Sequence, residues 1–99
     1  MQSPEVSALL RKACQDPHSS VRAAAVGALG ASKDKRLGAF YKDLFRKDGS
    51  VRVRAEALRA LGLTGDASVV PFLRESAAVP SHQNMIRRAA EDALKQLEK

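Results

Sequence analysis

At 99 residues the chain has room for one small domain, and its apolar content (44%) is almost free of aromatics (4%). One cysteine, Cys14, excludes an internal disulfide, and no apolar stretch is long enough to cross a bilayer. The net charge of +6 is concentrated centrally, with nine cations against four anions between residues 33 and 59.

Ala and Leu dominate the apolar residues and no alternating Val/Ile/Thr/Tyr run is present, so an all-α fold is expected. The first helix, about 4–14, aligns Val6, Leu9, Leu10, Ala13 and Cys14 on one face. The second, about 18–30, has Asp16 as its expected N-cap, Pro17 in an early position and Gly30 as its stop. Its stripe is Val21, Ala25, Ala28 and Leu29, the i, i+4, i+7, i+8 pattern of an amphipathic helix. Asp34 opens a third helix, about 35–46, with Leu37, Phe40, Tyr41, Leu44 and Phe45 on one side. Asp48 precedes a fourth, about 50–62, with Val53, Ala57, Ala60 and Leu61 and a final Gly62. Asp66 opens a fifth, about 67–77, whose face holds Val69, Phe72, Leu73 and Ala77; Pro71 falls in its first turn, where a missing N–H costs little. Ser81 precedes a sixth, about 82–97, with Ile86, Ala90, Ala93, Leu94 and Leu97.

These helices repeat. Val21–Gly30 aligns with Val53–Gly62 at an offset of 32 with seven of ten positions identical, and Ile86–Leu94 follows at an offset of 33. A period in this range signals stacked supersecondary units, since one helix pair cannot bury its apolar face alone. The expected organisation is one domain over 1–99, with units at about 1–15 (half), 16–47, 48–79 and 80–99 (half, capping). Pairing each first-set helix with the one that follows leaves an unpaired helix at each end. Helix 4–14 then reads as the second half of a repeat whose outer face packs against an upstream domain.

The run Asp-x5-Arg followed by Ala-x-Ala-hydrophobic-x-Ala-Leu-Gly resembles HEAT-like repeats, specifically the short variety named after phycocyanobilin lyases. The likeness covers nearly the whole chain. It implies an α-solenoid of antiparallel helix pairs in which Arg22, Arg54 and Arg87 form a ladder held by Asp16, Asp48 and the Ser81 region. The third repeat departs from the pattern with Ser81, Arg88 and Glu91, as a solvent-facing capping unit would. A narrower likeness, from Ala67 to Leu97 with Pro-Ser-His before Met85-Ile86-Arg87-Arg88-Ala89-Ala90, is similar to the helical C-terminal region of bacterial M1-type zinc aminopeptidases. The His-Glu-x-x-His motif of that family does not occur here, so no catalytic residue carries over.

No catalytic, metal or cofactor residues are expected. A zinc site needs three or four converging ligands, whereas His18 and His82 stand two repeats apart at helix starts. Some HEAT-like hydroxylases hold iron with His-Glu pairs, and neither histidine here is followed by Glu. Cys14 takes the slot of Phe45 and Ala77, that of a small buried hydrophobe. The expected function is a noncatalytic scaffold that binds protein through the second helices. Lys42, Arg46, Lys47, Arg52 and Arg59 are its candidate docking residues, and nucleic acid is the weaker partner class. The start Met1-Gln2-Ser3-Pro4-Glu5 lacks signal-peptide character, no membrane partner is expected, and a cytoplasmic address is favoured.

Overall fold

The computed structural model describes residues 3–98, which form six α-helices, three of them entered through a 3-10 turn. The helices are α1 (Pro4–Ala13), α2 (Ser19–Ala31), α3 (Gly38–Lys47), α4 (Val51–Leu63), α5 (Val70–Ser76) and α6 (Met85–Glu98). The 3-10 turns Lys35–Leu37, Ala67–Val69 and His82–Asn84 lead into α3, α5 and α6. No strand occurs among the described residues.

Two layers of helix make a slab of 35 × 29 × 17 Å. In one layer α2, α4 and α6 stack side by side, and in the other α1, α3 and α5 each pack on the helix that follows. The close hairpins are therefore α1/α2, α3/α4 and α5/α6. This is one helix out of step with the pairing expected from the repeat, and neither terminal helix is left without a partner. Only Asp48, Gly49 and Ser50 separate α3 from α4, whereas α2 reaches α3 through a turn and a 3-10 segment.

The α2–α4–α6 stack is close because its facing residues are small. A methyl on Gly30 would sit 3.0 Å from Ala60 Cβ, and one on Gly62 only 2.6 Å from Ala93 Cα. Both glycines lie inside their helices, so their expected role as stop signals is corrected: they are points of close helix approach. The helices end one or two residues later on a hydroxyl. Ser32 Oγ donates to Leu29 O (2.6 Å) and Thr64 Oγ1 to Leu61 O (2.7 Å). Lys33 (φ 57°) and Gly65 (φ 73°) then turn the chain through the left-handed region, and Asp34 and Asp66 cap the next 3-10 turn.

The helix starts also differ from the simple N-cap reading. Asp16 and Asp48 stand two residues before the caps His18 and Ser50 and accept their N–H groups at 2.8 and 2.9 Å. Pro17 lies in the link and not in α2. The core runs along the seam between layers, where Val26, Leu29, Tyr41, Val53, Leu58, Leu61, Leu73 and Ile86 are fully buried. Each large apolar side chain so buried contributes roughly 2 kcal/mol. Leu94 continues the seam, half-buried against that core. By contrast, α1 contributes no buried residue of its own.

Candidate binding surface

The arginines at the helix starts do not form three equal rungs. Arg22 spans two repeats: its Nε and Nη2 donate to Asp48 Oδ2 (2.9 Å) and Oδ1 (3.1 Å), a two-pronged contact with a nearly buried carboxylate. Its Nη1 donates to the main-chain oxygens of Asp16 (2.9 Å) and Pro17 (3.2 Å). Hydrogen bonding to Asp48 raises the Arg22 pKa further. The Asp16 carboxylate instead holds the His18 N–H and ring, and that backbone hydrogen bond, followed by the ring contact, lowers its pKa.

Among the described residues Arg54 meets no carboxylate rung. The next repeat offers Ser81, whose Oγ is occupied in accepting the Ile86 N–H at 2.9 Å. Arg54 Nε donates to Phe45 O (2.7 Å), and its guanidinium lies 4.6 Å over the Phe45 ring. Arg87 pairs with Glu91 of its own helix at 3.7 Å, on the exposed side of α6. Among the described residues the expected three-step ladder is thus corrected to one inter-repeat Arg–Asp rung, with Ser81 standing where the pattern has Asp.

The five candidate docking cations divide between faces. Lys42 and Arg46 on α3 both lean over the Phe72 ring of α5, at 5.4 and 5.2 Å from its centroid. Phe72 in turn meets Phe45 edge-on, with centroids 5.6 Å apart. Asp43 reaches Arg46 at only 3.8 Å, and both are exposed. Lys47, also on α3, borders a cavity of about 520 Å³ with Cys14, Arg22, Phe40 and Leu44. Arg52 and Arg59 belong to the α2–α4–α6 layer. Arg52 lies beside Ser20 and Glu56 between α2 and α4, and Arg59 pairs with Glu56 (3.4 Å) and Asp92 (3.7 Å). These two do not join the α3 group. Sequence reasoning also missed Phe72 as a platform, having placed it on the core stripe; it is half-buried, with a ring face for its neighbours. Its offset of 32 from Phe40 carried no hint that cations would gather there.

The family model described as "HEAT repeats" matches residues 38–99, more than half of the chain, and the model "HEAT repeat" matches residues 6–31. The chain belongs to the HEAT repeat family. No curated protein and no solved structure gives a significant match.

Within this HEAT repeat chain the reactive side chains are quiet. Burial, with a smaller contribution from the nearby Asp48 charge, pushes the Cys14 thiol up to about 11. At neutral pH it is protonated and a poor nucleophile. Burial also raises the Tyr41 hydroxyl, which has no hydrogen-bond partner among the described residues. His18 and His82 are exposed at opposite ends of the HEAT stack, and no three His, Cys, Asp or Glu side chains converge on a metal position among the described residues. No described helix is long and apolar enough to cross a membrane.

Proposed function

We infer that this HEAT repeat chain is a noncatalytic scaffold that binds an acidic segment of a partner protein on the α3/α5 face. The supporting observation is the convergence of Lys42 and Arg46 on the one ring of Phe72. The Phe72 ring positions the charged Lys42 and Arg46 head groups without neutralising them, so their outward N–H groups can still meet carboxylates. Lys47 extends the charge toward the neighbouring cavity. Arg59, already paired twice, has little to offer a partner.

A fluorescent Glu-rich peptide titrated at low salt tests this reading. Lys42→Glu with Arg46→Glu should weaken binding by at least about tenfold, and added salt should weaken the parent complex. Arg52→Glu with Arg59→Glu should leave affinity unchanged. Equal affinity in the α3 variant would sink the reading. Tighter binding to a DNA duplex than to the peptide would move the assignment to nucleic acid.

A second reading makes the chain the noncatalytic helical part of an M1-type zinc aminopeptidase. Its support is the Ala67–Leu97 likeness together with exposed apolar residues at the α1 end. A reading frame joining this segment to an upstream His-Glu-x-x-His would select it.

A further inference from the structure

The two ends of the stack are chemically unlike. In the first hairpin Val6, Leu9 and Val21 are 44%, 67% and 41% exposed, and they are the large apolar side chains most open to solvent among the described residues. Their repeat equivalents are covered. Leu37 and Val69, which match Val6, are buried; Val53 and Ile86, which match Val21, are fully buried; Phe40 and Phe72, which match Leu9, pack half-buried on the core. Phe72, for one, lies against Phe45, Lys42 and Arg46 of the preceding hairpin.

The opposite sides of the inner helices are equally specific. Ala23, Val26 and Gly30 of α2 are buried, Gly30 against Ala60 of α4, and Ala55, Leu58 and Gly62 of α4 are buried, Gly62 against Ala93 of α6. The equivalents in α6 are Arg88, Glu91 and Lys95, all exposed. The far end is therefore closed by charge, while the α1 end repeats an interface that already exists twice inside the molecule. Asp16 completes the match. Its counterpart Asp48 is 7% exposed and clamped by Arg22 from the preceding hairpin. Asp16 is 35% exposed, and no arginine side chain reaches its carboxylate among the described residues.

We propose that the Val6–Leu9–Val21 face with Asp16 is a docking surface for a partner's HEAT-type helical hairpin. That hairpin presents an Ala/Val/Gly helix face and an arginine placed as Arg22 is. The unaltered chain cannot supply this occupant from its own far end, because Arg88, Glu91 and Lys95 would lose water against Leu9 and Val21 without partners.

Sedimentation of an opened variant tests the assignment. Arg88→Ala, Glu91→Leu and Lys95→Gly together give α6 the outer face of α4, with Arg87 already in the Arg22 position. The parent should remain monomeric. The opened variant should assemble head to tail, its apparent mass rising at least about twofold with concentration, and a further Leu9→Glu should return it to monomer. An opened variant that stays monomeric, or assembles regardless of Leu9→Glu, overturns the proposal. So does a parent chain that dimerises in a Leu9-sensitive way, since the occupant would then be a second copy. If the opened variant fails to fold, a chain with residues 3–33 duplicated ahead of Ser3 serves instead. It should unfold at a higher denaturant concentration than the parent and lose the gain when the inner Leu9 becomes Glu; an unchanged midpoint overturns the proposal.

Discussion

Arg22 holds both carboxylate oxygens of Asp48 across the boundary between two repeats, at 2.9 and 3.1 Å. Asp48 also accepts the Ser50 N–H at the head of α4, so one side chain fastens a helix start and a neighbouring repeat. Asp48→Ala removes the helix-start acceptor and strands the guanidinium. Chemical denaturation should show a loss of about 2 kcal/mol. Asp16→Ala, at the equivalent position but with only His18 to hold, should change the midpoint much less. Equal losses would mean that the inter-repeat contact contributes nothing.

Gly62→Ala should be the most damaging single-methyl addition in the α2–α4–α6 stack. The new Cβ would lie 2.6 Å from a backbone carbon of Ala93, which no rotamer change relieves. Gly30→Ala meets Ala60 Cβ at 3.0 Å and its Cα at 3.2 Å, a gentler overlap. Offset by the helix propensity of Ala, the expected costs are about 2 kcal/mol at Gly62 and under about 1 kcal/mol at Gly30. Thermal unfolding of the two variants side by side checks the order.

Lys33 and Gly65 occupy the same left-handed turn in successive repeats, and only one of them is glycine. Lys33→Gly should stabilise the chain by about 0.5–1 kcal/mol, and Gly65→Ala should destabilise it by a similar amount. Opposite signs in urea titrations of these variants are the expected result. Two shifts of the same sign would contradict the turn geometry.

Cys14 supplies a pH signature. Its folded pKa is raised from an ordinary 9.0 to about 11, so the folded chain keeps the proton that the unfolded chain releases. The stabilisation is fully present below pH 9 and is lost as pH rises through about 11. Cys14→Ala should flatten the decline of stability across that window. In the parent, alkylation at pH 8 should be slow until denaturant is added; rapid labelling of the folded chain would contradict the burial.

Helix positions and the repeat were legible in the sequence because period and small-residue spacing are local. All six helices fall within a few residues of their expected spans. What sits between helices was less legible. Gly30 and Gly62 resembled stop signals because a helix-ending glycine and a helix-crossing glycine look alike until the neighbouring helix is in view. Arg22, Arg54 and Arg87 recur in step, but each bond depends on the acceptor one repeat away, and Ser81 breaks the series. Lys42 and Arg52 share a charge block while their helices place them on different layers. Linear charge density carries no information on facing.

The first helix is held to the rest through half-buried Leu10 and Ala13 and the buried Cys14 just beyond its end. With no buried residue between Pro4 and Ala13, its opening costs less free energy than melting the whole chain. Amide protons there should exchange through this partial unravelling, ahead of those in α4. Whatever comes to cover that helix would therefore be reported by slowed exchange as well as by mass.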